Sequence, residues 1–392
     1  MQGIIAYHEK AFLIMKSIFL LLSLLVHTAS HALSPQEPAA PILAASSWLL
    51  YDYTSSQVLV DKDGDTRIEP ASLTKLMTVY LTFNALKQGI LSLEQQLPVP
   101  DEAVRKNNGE SSMLLKAGQG VSVKDLLHGL IVQSGNDAAI TLSINIAGSE
   151  ANFADMMNKE AKRLGMTNSH FVNSSGLSAL QHYSSGYDLA LLASAIIRDH
   201  PQFYPIFSIR DYTYNNITQV NRNYLLWLDP YADGLKTGYS QSAGYCIVSS
   251  TERNGHRLIA VLFGVTSNIL QASESQKLLN FGYRNYDSAK LYEKNQTVTT
   301  LRVWKGSDTH IDIGFSKDIF LTIPRGTLKK LQATMETRQP VFAPITNGQK
   351  LGVLKLTLAG KPYAEFSLVA LNSIQLANVF SRGWDSIRMF FQ

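Results

Sequence analysis

The chain has 392 residues, 45% of them hydrophobic and 17% charged, with 25 Gly and 13 Pro. Those proportions exclude a disordered tail, a collagen-like fibre and a disulfide-knotted miniprotein, and the length calls for two domains. The 35 Lys+Arg against 31 Asp+Glu leave a net charge of +4 without basic runs or stripes, so nucleic acid is not an expected partner.

Residues Ser17 to Val26 read SIFLLLSLLV, an uncharged run after Lys10 and Lys16, and Ser30-His31-Ala32 follows with small residues where a signal peptidase cuts. Residues 1–32 therefore read as a secretory signal peptide, too short for a permanent span, and the mature chain is expected to be exported. Residues 33–45 are an Ala/Pro lead-in, and 46–61 read as a strand pair with Asp63-Gly64 marking a turn. The pattern from Ser72 to Leu86 is helical. Residues 123–147 give two helical segments broken at Gln133-Ser134-Gly135-Asn136, and 151–164 and 187–198 give two more, with a loop over 165–186.

The period then changes. Apolar strands over 245–251 and 257–265 flank Asn254-Gly255, a hairpin signal, and 273–286 returns to helix. The one cysteine, Cys246, falls inside the first of those strands and reads as a buried core residue rather than a nucleophile. Beyond about residue 290 come only strands, over 297–304, 310–315, 318–323, 350–358 and 363–370, a small β-sandwich-like unit. The predicted divisions are thus a mixed α/β (α+β) domain over 33–289, an all-β domain over 290–374 and a terminal segment over 375–392. In that segment Leu376, Val379, Phe380, Gly383, Trp384, Ile387, Phe390 and Phe391 recur at helical spacing, and Arg382, Asp385 and Arg388 lie opposite. It reads as an amphipathic helix lying in a membrane surface.

HExxH, CxxC, GxSxG and Gly-rich phosphate loops are all missing from the sequence. Three short motifs remain. Ser72-Leu73-Thr74-Lys75 is the one SxxK in the chain. Residues three apart on a helix share a face, so the Lys75 amine can reach the Ser72 hydroxyl and act as its base if it is desolvated or set beside another cation. Lys236-Thr237-Gly238 supplies that second cation. Placed at a strand edge, it offers a charge and a hydroxyl to a substrate carboxylate, and Gly238 leaves room for a ligand backbone. Ser134-Gly135-Asn136, at the helix break, offers a hydroxyl to relay a proton and an amide to hold a carbonyl. Ser143-Ile144-Asn145 has the same spacing but sits inside a continuous helical pattern and reads as ordinary helix.

In this order the motifs resemble the low-molecular-mass penicillin-binding proteins, specifically serine D-alanyl-D-alanine carboxypeptidases. The likeness rests on Glu69-Pro70-Ala71-Ser72-Leu73-Thr74-Lys75, Gln133-Ser134-Gly135-Asn136-Asp137-Ala138, Gln219-Val220-Asn221-Arg222-Asn223 and Asp233-Gly234-Leu235-Lys236-Thr237-Gly238. It implies a penicillin-recognising, β-lactamase-like domain, an antiparallel sheet flanked by helices, followed by the small all-β domain, in a periplasmic enzyme held peripherally on the inner membrane by its C-terminal helix.

The resemblance also implies roles. Ser72 would attack the bond between the last two D-alanines of a peptidoglycan pentapeptide, and Lys75 would take its proton. Ser134 would protonate the leaving D-alanine, Asn136 would hold the acyl-side amide, and Lys236, Thr237 and Gly238 would receive the terminal carboxylate. Backbone N–H groups of Ser72 and Tyr239 would form the oxyanion hole. β-Lactam antibiotics would act as covalent inhibitors of the same serine, and neither a metal nor an organic cofactor would be needed. A D,D-endopeptidase on cross-links and a slow-turnover peptidoglycan-binding protein are the competing readings; a β-lactamase would need neither the β domain nor the anchor. Two departures stand out: Tyr239 and Ser240 replace the usual His and Thr, and Ser178 and Leu180 stand where relatives usually carry Asp and Pro. The second points to a loosely anchored loop.

Overall fold

The computed structural model describes residues 38–106 and 111–390. The signal-peptide segment, like Phe391 at the other end, lies outside them. The first strands, β1 (Ser47–Asp52) and β2 (Gln57–Lys62), form the expected pair. A 3₁₀ turn over Ala71–Thr74 then leads into α1 (Lys75–Lys87). A short pair, β3 (Gln96–Pro98) and β4 (Gly120–Ser122), surrounds α2 (Asp101–Arg105), and α3 (Val123–His128) follows. A π turn over Gly129–Gln133 precedes α4 (Asn136–Ala147), so the expected break falls where Ser134 turns left-handed at φ 66°. Helices α5 (Glu150–Leu164) and α6 (Gly186–Asp199) flank the predicted loop.

A small hairpin, β5 (Asp211–Tyr214) and β6 (Ile217–Val220), was not anticipated; α7 (Leu225–Leu228) follows it. Strands β7 (Ala232–Ser240), β8 (Gly244–Arg253) and β9 (His256–Val265) complete the main sheet, and α8 (Asn268–Asn285) crosses its back. Both residues of the β8–β9 turn, Asn254 and Gly255, have positive φ, as the tight hairpin requires.

The main sheet has the antiparallel order β2-β1-β9-β8-β7. Its central strand reads as an unbroken apolar run because both faces are covered. Ile259, Val261 and Phe263 enter the core shared with α1, α4 and α6, whereas Leu258, Ala260 and Leu262 pack under α8 beside Trp48, Leu50 and Leu278. Neighbouring strands split the same way, Leu49 and Tyr51 to one side, Ile247 to the other. Helix α1 is buried nearly all round, which explains its lack of a polar face and fixes the turn that precedes it.

The C-terminal unit begins with a strand that sequence reading missed, β10 (Tyr286–Tyr292), paired with β13 (Ile319–Pro324). The remaining strands are β11 (Thr297–Trp304), β12 (His310–Gly314), β14 (Leu331–Thr337), β15 (Val341–Phe342), β16 (Lys350–Leu358) and β17 (Lys361–Ala370), in the order β14-β16-β17-β12-β11-β15. The unit is therefore one six-stranded sheet with a two-stranded ribbon, closed over a core that includes Val303, Ile313, Leu321, Leu356 and Leu368. Helix α9 (Val379–Phe390) follows. The unit joins the main sheet at its β1–β2 side: the Thr322 hydroxyl donates to Asp52 at 2.5 Å, its N–H to the Gln57 side chain at 2.8 Å, and the Tyr286 hydroxyl to the Leu59 carbonyl at 2.9 Å.

Candidate active site

At the opposite edge of the sheet, β7 pairs with β8 alone and leaves its outer side to a cleft of about 950 Å³. Ser72, Ser134, Asn136, Thr237, Gly238 and Tyr239 all line it, so the three sequence motifs converge on one cavity. Lys75 and Lys236 are buried beneath its floor.

The Ser72 turn is strained and held by two neighbours. Ala71 has φ 47°, a left-handed conformation of the kind that collects at functional sites. Gly176, at φ 86°, passes so close that a Cβ there would lie 1.8 Å from the Ala71 carbonyl oxygen. Thr74 Oγ1 lies 2.7 Å from His182 Nε2. Because His182 Nδ1 accepts from the Val172 N–H, Nε2 carries the proton and donates to Thr74. Burial brings His182 down to about 4, so the ring stays neutral in this bond near pH 7.

Lys75 is fully buried, and its Nζ is 2.9 Å from Ser72 Oγ, 2.7 Å from Asn136 Oδ1 and 2.5 Å from the Ser175 carbonyl oxygen. The amine thus bridges the SxxK and SxN motifs and fixes the Ser72 hydroxyl. The Ser175 carbonyl has no sequence signature, and only the loop's path brings it there. Ser134 is 2% exposed and its hydroxyl has no hydrogen-bond partner within the described protein. Such a hydroxyl is costly unless it is used, and it faces the same cleft. Asp137, next to the motif, anchors the wall opposite by accepting from the Ser112 hydroxyl at 2.7 Å and from the N–H groups of Met113 and Leu115. The decoy at Ser143 and Asn145 bonds to its own helix, at the Ile140 and Thr141 carbonyls.

Lys236 is buried with its Nζ donating to the Thr237 carbonyl at 2.9 Å. Burial, reinforced by the Arg222 charge, brings its ammonium down to about 7. Arg222, which also lines the cleft, was quoted in the motif pattern but not singled out as a site residue. Behind Lys236 the strand is pinned by Asp233, which accepts from the Tyr204 hydroxyl at 2.8 Å and pairs with Arg257 at 2.7 Å. Cys246 is fully buried, and burial pushes its thiol up to about 12, in keeping with a packing role.

Gly238 departs from expectation in its reason. Sequence reasoning reserved the space beside it for a ligand backbone. A Cβ there would instead meet Cys246 Sγ at 2.8 Å, the Ser72 amide nitrogen at 3.1 Å and the Leu73 nitrogen at 3.3 Å. The glycine lets β7 lie against the turn, which brings the backbone of residues 238–239 alongside the Ser72 N–H. A hydroxyl hydrogen-bonded to a buried amine, with backbone N–H groups of the turn and the strand close by, can deliver a nucleophile and stabilise an oxyanion.

The loop at Ser178 also differs from expectation. It is tied down: the Ser178 hydroxyl donates to Glu69, and the Ser242 hydroxyl donates to the other oxygen of the same carboxylate.

Comparison with known proteins follows the same outline. The family profile described as D-alanyl-D-alanine carboxypeptidase matches residues 34–267, and that of the penicillin-binding protein 5 C-terminal domain matches 286–376. The D-alanyl-D-alanine carboxypeptidase DacC of Escherichia coli is 39% identical over 362 residues, 91% of this chain and 90% of the relative. DacA of the same organism is 36% identical over 360 residues, 90% of this chain and 89% of the relative. Among solved structures, penicillin binding protein 5 from Haemophilus influenzae superposes with a TM-score of 0.82 at 37% identity, covering 86% of this chain and 99% of that one. Penicillin binding protein 6B from Escherichia coli gives 0.71 at 35%, covering 86% and 98%.

Proposed function

Since the chain belongs to the D-alanyl-D-alanine carboxypeptidase family, we propose that it removes the terminal D-alanine from peptidoglycan pentapeptide stems through an acyl-enzyme on Ser72. The observation that carries the reading is the Ser72–Lys75 pair, 2.9 Å apart, under the exposed edge of the Lys236-Thr237-Gly238 strand. Ser72 Oγ attacks the carbonyl carbon between the two D-alanines as Lys75 Nζ takes its proton. The oxyanion is held by the N–H groups of Ser72 and Tyr239. Ser134 passes a proton to the departing amine, and the C–N bond breaks. Asn136 holds the acyl-side amide. Lys236 and Thr237 receive the terminal carboxylate, with Gly238 keeping their strand in place. Water then adds to the ester, Ser72 is released and the tetrapeptide leaves. A penicillin acylates the same hydroxyl.

The enzyme works, in this reading, on the periplasmic side of the inner membrane, exported by residues 1–32 and held peripherally by the C-terminal helix. Support comes from the surface of α9: Val379, Phe380 and Trp384 are exposed, while Asp385 accepts from the Lys305 N–H at 2.7 Å on the opposite side. Among the described residues no helix is long and apolar enough to cross a membrane, so such an anchor would be interfacial. The domains are assigned as 33–289 for catalysis, 290–374 for the β unit and 375–392 for the anchor.

The test is incubation with a pentapeptide ending in D-Ala-D-Ala, with free D-alanine as readout and Ser72→Ala as control. Release by the parent alone supports the reading. Absence of release from the pentapeptide, with cleavage of a cross-linked dimer, replaces it with an endopeptidase.

A further inference from the structure

Glu69 lies three residues before Ser72, on the segment that carries the reactive turn. Its carboxylate is the meeting point of two loops distant in sequence. One is 173–185, whose Gly176, Leu177 and Ser178 form one lip of the cleft. The other is the end of β7 with the turn after it, where Tyr239, Ser240 and Gln241 form the facing lip. Ser178 donates to Oε1 and Ser242 to Oε2, and the Ser240 hydroxyl joins Ser242 at 3.2 Å. Burial alone would raise the carboxyl's pKa, but the hydroxyls of Ser178, Ser242 and Ser240 outweigh it and hold the group below the ordinary range. The brace is therefore charged at neutral pH. Packing adds little here: residues 178–181 are all exposed, Leu180 at 94%.

We propose that Glu69 is a positioning residue for the second half of the reaction, fixing the gap between the two lips through which water reaches the acyl-enzyme. This rests on the Ser72 acyl-enzyme proposed above. The first half depends on groups set by the core: Lys75, buried below Ser72, and backbone donors on the turn and on β7. In the second half a water oxygen adds to the ester carbonyl carbon, the tetrahedral intermediate collapses, the bond to Ser72 Oγ breaks and the proton returns to Ser72. That water has no covalent tether, so its alignment depends on the walls beside it. One carboxylate joining both walls to the nucleophile's own segment sets their separation.

Glu69→Ala and Glu69→Gln are compared with the parent using a fluorescent penicillin. Labelling is expected to stay within about twofold of the parent, while the label's half-life lengthens on the order of tenfold in Glu69→Ala. Glu69→Gln falls between, because its amide oxygen still accepts one hydroxyl. Ser178→Ala added to Glu69→Ala changes nothing further, since that hydroxyl acts through Glu69. Ser178→Asp sets a second carboxylate against Glu69 and lengthens the half-life as Glu69→Ala does. On the pentapeptide, kcat and KM fall together and kcat/KM holds, the signature of slowed deacylation. Should Glu69→Ala not fold, Ser242→Ala carries the same expectation. A half-life within twofold of the parent, labelling and release slowing together, or additive effects of Glu69→Ala and Ser178→Ala would each overturn the proposal. A parent that takes up no label would remove the acyl-enzyme itself, an outcome distinct from a labelled parent whose lifetime ignores Glu69.

Discussion

Replacing Gly238 by alanine adds one methyl group at the most crowded point of the site. The new Cβ would stand 2.8 Å from Cys246 Sγ and 3.1 Å from the Ser72 nitrogen. Comfortable contact begins near ~3.5 Å, so something must yield by roughly half an ångström. Cys246 is fully buried and the Ser72 turn is fixed by Gly176, His182 and α1. The yielding element is therefore β7, whose outer side has no partner strand. Its retreat is expected to carry the Tyr239 N–H, the second oxyanion donor proposed above, away from the Ser72 N–H. Loss of one oxyanion donor costs about 10²–10³ in rate, and a partial displacement of this size is expected to slow penicillin acylation on the order of 10²-fold. Overpacking of the strand should cost about 1–3 kcal/mol of stability. Stopped-flow acylation and thermal melting measure the two separately. Adding Cys246→Ala removes the sulfur clash but leaves the Ser72 contact, so it should recover stability more than rate. Gly238→Ala acylating at the parent rate would refute the argument. So would full kinetic recovery in the double variant, because the crowding at the Ser72 nitrogen would then be irrelevant.

Three further expectations can be checked together. Ser72→Ala should abolish penicillin labelling with little change in melting temperature, since only the hydroxyl is lost; labelling at the parent rate would remove Ser72 as nucleophile. Lys236, brought down to about 7 by burial, should lose its charge as pH rises through that value in the free enzyme. Carboxylate recognition then weakens and kcat/KM declines on the alkaline side, and Lys236→Arg, which stays charged, should move that decline upward; an unmoved limb would assign it elsewhere. Deleting residues 376–392 should transfer the protein from the membrane fraction to the soluble fraction without loss of pentapeptide turnover, and a truncated protein that stays with membranes would place the anchor elsewhere.

Much of the scaffold could be read from residue pattern because burial imposes periodicity. The β8–β9 hairpin announced itself through apolar runs around Asn254-Gly255, and the helix break at Ser134 through its Gly and polar residues. Strand β7 had no such pattern: Gly234, Lys236, Thr237 and Gly238 are the wrong residues for a packed strand, and only the chemistry of the triplet drew attention to it. Strand β14 is polar because its side chains are largely exposed at the end of its sheet. Strand β10 continues directly from α8, with no intervening turn residues to mark the change. Within the site, the Ser72–Lys75 contact followed from helical spacing. The Ser175 carbonyl, the Thr74–His182 bond and the Glu69 brace did not, since each is made by loops brought together over about a hundred residues or more. Ser178 shows the limit of substitution logic: a residue judged weak in isolation is held by a partner that the linear sequence does not identify.

The order of strands in the main sheet separates two tasks in space. Its β7 edge borders the reactive cleft, and its β1–β2 side bears the C-terminal unit through Asp52, Gln57 and Leu59. Four interstrand steps lie between β2 and β7, about 19 Å at ~4.8 Å each. The β unit is therefore seated at the far end of a stiff plank from the cleft. If α9 rests on a membrane surface as proposed, the width of the sheet separates the seat of the β unit from the cleft. Shortening or lengthening the β unit is then expected to change how far from that surface the cleft reaches while leaving its chemistry alone.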